Sequence, residues 1–145
     1  MTNQDVFRNY VQAFEETYLD NDWSRLTQFF TSNALHNTGN DREVSGKDSI
    51  IAYLKESVEN FDRLFDSRNP SFGELSVIGN GVVVPWVFTY KKEGAPDLVT
   101  SGTEVAEFSH AAISRLDSVF DGGVPERVQE WMGKYGNLLQ SETRA

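Results

Sequence analysis

Hydrophobic positions follow two periods along the chain, and the change of period separates an early helical part from a late stranded part. In the first part Val6, Phe7, Tyr10, Val11, Phe14 and Tyr18 recur at three- and four-residue spacing, which makes one apolar helix face. Thr2-Asn3-Gln4-Asp5 resembles a capping box in which Asp replaces the usual Glu or Gln, so a helix starts there and should end near Asp20-Asn21. Asp22 is placed to cap a second, short helix over 23–30, with Trp23, Leu26, Phe29 and Phe30 inside, and Thr31-Ser32-Asn33 breaks it. Residues 34–38 read as a short strand and Gly39-Asn40-Asp41 as a turn. A third helix follows, with Ser45 and Asp48 at capping-box spacing and Ile50, Ile51, Leu54, Val58, Phe61 and Leu64 or Phe65 as its stripe; Asn69-Pro70 marks its exit.

The alternating part begins weakly over 72–78, turns at Gly79-Asn80-Gly81, and then runs through 82–92, 98–108 and 113–120. Turns of five residues (Glu93-Gly94-Ala95-Pro96-Asp97) and four residues (Ser109-His110-Ala111-Ala112) separate these runs, and connections so short permit only antiparallel neighbours. Alternation puts Val84, Trp86, Phe88 and Tyr90 on one face and Val83, Pro85, Val87 and Thr89 on the other. In the next run Glu104 shares its face with Gly102, Ala106 and Phe108, so an acid points where apolar groups point. A closing helix opens at Pro125 and carries Val128, Trp131, Met132, Tyr135 and Leu139; Gly133 and Gly136 each weaken it by about 1 kcal/mol, so it must lean on the body of the protein. Helices first and strands last describe an α+β domain with a segregated antiparallel sheet, one domain over 1–145.

A net charge of −9 gives no basic face for nucleic acid or for an anionic membrane, and the longest apolar run, 82–88, is too short to cross a bilayer. The chain has no cysteine, which removes disulfides, thiolate metal sites and cysteine nucleophiles and makes the cytoplasm the expected compartment. Two distant histidines leave no metal site to expect, and no phosphate-cradling loop, nucleophile elbow or dinucleotide fingerprint is present, so no cofactor is expected. Glu15-Glu16 reads as a solvated helix face, and Asp117 and Asp121 as facing solvent or a partner subunit.

Two side chains carry candidate chemistry. Glu104, if inward and without a cationic partner, should have its pKa raised by desolvation, and a raised carboxyl suits general-acid work. His36 shares a strand face with Ala34 and Thr38; a lone histidine is more often structural, and His110 sits in an exposed turn.

Taken together, the element order, Asp22-Trp23-Ser24-Arg25-Leu26 before Phe29-Phe30, Val44-Ser45-Gly46-Lys47-Asp48 before the third helix, and the closing hairpins up to Asp121 resemble the NTF2-like superfamily. That superfamily includes SnoaL-type polyketide cyclases and ketosteroid isomerases. The resemblance implies a cone-shaped fold whose curved mixed or antiparallel sheet wraps over the helices and leaves a blind apolar cavity. It nominates Trp86 and Phe88 as cavity wall, with Phe14, Tyr18, Val84 and Phe120 also binding ligand. It sets Glu104 where the isomerase keeps a protonated acid and His36 at the cavity mouth, which makes His36 the candidate base. The isomerase's tyrosine position fits Phe14 best, with Tyr10 and Tyr18 one turn to either side; its base position falls at Asn37 or Thr38, and neither can take a proton from carbon. The implied function is binding of a small apolar, carbonyl-bearing or polycyclic molecule with cofactor-free isomerase, cyclase or dehydratase chemistry; the alternative is a non-catalytic binding or protein-interaction module. A homodimer through the outer sheet face is expected, with Val83, Val87 and Val119 on that face.

Overall fold

A computed structural model describes residues 1–142, with side chains through residue 139. The first helix, α1 (Asn3–Asp20), begins as its sequence demands: the Thr2 hydroxyl accepts from the Asp5 amide at 3.1 Å and the Asp5 carboxylate accepts from the Thr2 amide at 3.1 Å. It ends at Asn21 in the left-handed region, φ 63°. The second helix is a short 3-10 helix, Trp23–Phe29, and Asp22 does not cap it; its carboxylate takes the Ser24 hydroxyl instead, at 2.5 Å.

The strand β1 (Phe30–Asn37) starts earlier than the 34–38 run, so Thr31-Ser32-Asn33 belongs to the strand and does not break the chain. The register on its neighbour shifts between Phe30 and Leu35, and this irregularity lets the polar triplet stay at the surface. A short β2 (Glu43–Ser45) pairs antiparallel with β1, so Ser45 is a strand residue; the helix α2 (Lys47–Asn60) starts from Gly46 with no side-chain cap. A second 3-10 turn, Asp62–Leu64, leads to β3 (Ser67–Phe72). Asn69-Pro70 therefore lies inside a strand and not at a helix exit. Proline is tolerated there because β3 is the edge of the sheet and needs no donor on its open side.

The remaining strands are β4 (Ser76–Ile78), β5 (Gly81–Lys91), β6 (Leu98–Ser109) and β7 (Ala112–Phe120), followed by α3 (Val124–Glu142). Gly79, at φ 60°, turns β4 into β5; His110 and Ala111, both at positive φ (52° and 64°), make the two-residue turn between β6 and β7. The sheet order is β2-β1-β7-β6-β5-β3, with β4 also on β5. All pairs are antiparallel except one: β1 runs parallel to β7, so the sheet is mixed and not purely antiparallel. The helices cover one face of it.

Two hydrophobic clusters stand at opposite ends of the covered face. One joins α1, α2 and the 3-10 helix to Val82, Val84, Ala106, Phe108 and Leu116; the other joins Tyr90 and Leu98 to Phe65 and to Trp131 and Leu139 of α3. Trp131 Nε1 donates to the Pro96 carbonyl at 2.8 Å, which ties α3 to the β5–β6 turn. Among the described residues no helix is long and apolar enough to cross a membrane.

Candidate functional site

Between the two clusters the inner face of the sheet changes character. Register places Val84, Glu104 and Ser118 side by side in one row, Trp86, Gly102 and Phe120 in the next, then Phe88 with Thr100. Gly102 is required by the row it occupies: a Cβ there would collide with the Val119 carbonyl oxygen on the neighbouring strand and stand 2.7 Å from Trp86 Cζ2, whose indole lies near Phe120, ring centroids 5.6 Å apart. Polar groups and a missing side chain in mid-sheet, with helices held off by the flanking clusters, leave a cavity of about 730 Å³. Trp86, Phe88, Phe120, Phe14, Tyr10 and Glu104 are among the side chains that line it.

Glu104 faces inward, as alternation requires. Desolvation pushes its carboxyl up to about 7, against the opposing pull of Ser118 and Trp86 beside it, and Asp117 adds a further upward push. Trp86 Nε1 is buried near this carboxyl and acts on it, but among the described residues it meets no acceptor in full hydrogen-bond geometry. The Tyr10 hydroxyl stands close enough to Glu104 to feel its charge; burial first and that charge second raise the phenol above its ordinary range.

His36 is 3% exposed and lines the same cavity. Its Nδ1 lies 2.9 Å from the Leu116 carbonyl. A carbonyl only accepts, so Nδ1 carries the proton and Nε2 holds the free lone pair. The ring packs edge-on to Tyr53 at 5.7 Å. Burial lowers the imidazole pKa, while the Leu116 contact and the Asp117 charge work the other way. His36 pairs with Leu116 on β7, and Glu104 pairs with Ser118 two residues further on. Their backbones are thus roughly 10–12 Å apart, enough for a ligand between them.

The far end of the cavity holds a group that the sequence reading missed. Arg68 of β3, its side chain 2% exposed, gives Nη1 and Nη2 to Glu15 at 2.7 and 3.0 Å and Nε to Asp62 at 2.7 Å. Its guanidinium lies over Tyr18, Phe88 and Phe14 at 4.6, 4.8 and 5.7 Å. Burial raises Asp62, opposed by Arg68. Glu15 is therefore a paired cavity residue and not part of a solvated face. Reading 67–72 as a strand would have put Arg68 on the face of Phe72; treating Asn69-Pro70 as an exit hid it.

Of the nominated ligand contacts, Phe14, Trp86, Phe88 and Phe120 line the cavity; Val84 and Tyr18 do not. Val84 is buried in the core beside it, and the Tyr18 ring is covered by the guanidinium groups of Arg63 and Arg68. Both Tyr10 and Phe14 reach the cavity, and Tyr10 is the one that couples to Glu104. Asp117 is only partly exposed and accepts from Arg115 Nε at 3.1 Å. Among the described residues no group of three histidine or acidic side chains could hold a metal ion.

This architecture has many solved counterparts. A provisionally assigned isomerase from Bacillus subtilis superposes with TM-score 0.64 at 19% identity, over 92% of this chain and 96% of its own. An NTF2-like protein of unknown function from Exiguobacterium sp. 255-15 gives 0.63 at 17% identity, over 81% and 98%. The chain has the NTF2-like fold. A provisionally assigned SnoaL-like polyketide cyclase from Shewanella putrefaciens CN-32 shares that fold, with TM-score 0.67 at 11% identity over 91% of this chain and 86% of the other. Neither a protein-family model nor a curated protein matches the sequence. At these identities the likeness is one of fold, and one fold hosts many activities.

Proposed function

We propose that the cavity binds a small, mostly apolar carbonyl compound and moves a proton on it without a cofactor, as an isomerase, cyclase or dehydratase would. Glu104, protonated, donates to the carbonyl oxygen; His36 Nε2 takes a proton from a carbon conjugated to that carbonyl and returns it elsewhere. The observation that carries this reading is the pairing itself: a carboxyl raised to about 7 and an imidazole with a free Nε2 face one aromatic cavity from strands two apart. The decisive measurement is deuterium uptake from D2O into a panel of apolar ketones and enones. Uptake by the parent should fall at least about 100-fold in both Glu104→Gln and His36→Gln. Uptake unchanged in either variant would remove that residue from the mechanism.

A second reading, ligand capture without turnover, is favoured by one observation. At the base position of the isomerase stand Asn37, exposed, and Thr38, whose hydroxyl is already given to the Arg42 carbonyl at 3.0 Å. Binding with no deuterium uptake would select it.

The uncovered face of the sheet is proposed as a homodimer interface. Val87, Val99 and Val119 are 42%, 37% and 55% exposed there, set around Ser101 and Thr103 on the open face; exposed apolar side chains gathered on one face are of the kind that marks interaction surfaces. Sedimentation at micromolar concentration should give twice the 16.4 kDa chain mass, and Val119→Lys with Val87→Lys should return it to one. A parent that sediments as a monomer would overturn the interface.

A further inference from the structure

We infer that the cavity is a two-ended site for a rod-like molecule, with a carbonyl at the Glu104 end and a hydroxyl or amino group held by Asp62 and Tyr90 at the other. This rests on the preceding reading for the carbonyl end only. The geometry comes from register. Glu104 pairs with Val84, whereas Tyr90 lies six residues along the same strand beside Arg68 of β3. Six residues span roughly 20 Å, shortened by side chains that lean inward from both ends. Between them the wall is aromatic, Trp86 and Phe88 from the sheet and Phe14 from α1.

Both ends are polar, and at the first a buried donor is left without an acceptor among the described residues. At that end, among the described residues, Trp86 Nε1 meets no acceptor in hydrogen-bond geometry, and Ser118, Trp86, Asp117 and Tyr10 are the polar groups near Glu104. At the other, Arg68 takes a single oxygen of Asp62, Oδ2. The Tyr90 hydroxyl, in a residue 6% exposed, stands beside that carboxylate, which it reaches as a donor. Asp62 and Tyr90 both line the cavity. Oδ1 of Asp62, which Arg68 does not take, can accept a further donor from the cavity side.

Charge decides which donor-bearing group fits. One guanidinium is shared between two carboxylates, Glu15 and Asp62, so the cluster carries no positive surplus. A ligand carboxylate would meet like charge there, whereas a hydroxyl or a protonated amine would not.

Calorimetric titration of the full chain with four rods of one skeleton tests this: 4-acetylbiphenyl and its 4′-hydroxy, 4′-amino and 4′-carboxy derivatives. The hydroxy and amino compounds should bind about tenfold more tightly than the unsubstituted one, and the carboxy compound weakest. Tyr90→Phe keeps the ring packed against Phe65 and edge-on to Phe61, centroids at 4.9 and 5.2 Å, and so keeps the fold. It should bring the hydroxy compound to near the unsubstituted one and leave the latter unchanged. Equal affinities across the series, a preference for the carboxylate, loss of both compounds alike in Tyr90→Phe, or no binding by any member overturns the proposal. Glu104→Leu separates the two readings. If it weakens all four compounds without an end-group ranking, the far-end assignment alone fails; if the ranking persists and Glu104→Leu binds like the parent, the carbonyl assignment fails.

Discussion

Arg68→Met should lower the stability of the fold by about 3–5 kcal/mol at neutral pH, the usual result of removing one partner from a buried ionic group. The guanidinium is almost wholly enclosed, makes three charge-assisted hydrogen bonds, and separates two carboxylates. Methionine keeps the length and the contact with Phe14 and Phe88 but leaves Glu15 and Asp62 facing each other. Burial already favours the neutral form of Asp62, and Glu15 pushes in the same direction; only Arg68 opposes them. The loss should therefore shrink as pH falls and Asp62 takes up a proton. Arg68→Lys should recover only part of it, because an ammonium cannot present a planar fork to Glu15 and a third donor to Asp62 together. A triple variant, Arg68→Met with Glu15→Gln and Asp62→Asn, should recover most of it, since neutral replacement of a whole buried ionic set is often tolerated. Urea unfolding measures each step. A loss below about 1 kcal/mol in Arg68→Met would place the group at the surface in all but name.

Glu104→Gln should raise stability at pH 8 while eliminating any turnover. The carboxyl sits near 4.5 when the chain is unfolded and about 7 when it is folded. Between those values the folded state holds a proton that the unfolded state has released, so stability falls as pH rises through that window and the whole contribution is gone above 7. The difference is on the order of 3 kcal/mol. Glutamine has the same shape and no proton to lose, so the two stability curves should coincide near pH 4 and diverge up to about 7. His36 acts with the opposite sign: its pKa is lowered from 6.5 by burial, and its contribution is lost as pH falls below that value. The variant should keep this acidic slope, which shows that only one group has been removed. Parent activity should fall on the alkaline side near 7, where Glu104 ionises. Parallel curves for parent and variant from pH 4 to 8 would mean that Glu104 is solvated.

The inward side of Glu104 was legible before any coordinate, because strand alternation has a period of two and the flanking apolar positions state which side is buried. The same holds for the row of Trp86, Phe88 and Tyr90, for the Thr2–Asp5 cap and for the Gly79-Asn80 turn. Each depends on residues within a few positions of one another. Tyr10 was harder: three aromatics on one helix face are equivalent in sequence, and only the packing of α1 across the sheet brings Tyr10, and not Tyr18, to Glu104.

What the chain determined by itself is local: the two periods, the helix start, the tight turns, and the side of the sheet each strand residue takes. What the tertiary structure alone decided is which distant segments meet. The parallel seam between β1 and β7 joins residues about eighty positions apart, and Arg68 finds Glu15 across 53. Such contacts are selected by the burial of whole faces and by the pairing of charges already forced out of water. No spacing along the chain encodes them, and for that reason the far end of the cavity came from the fold and the Glu104 side of it from the sequence.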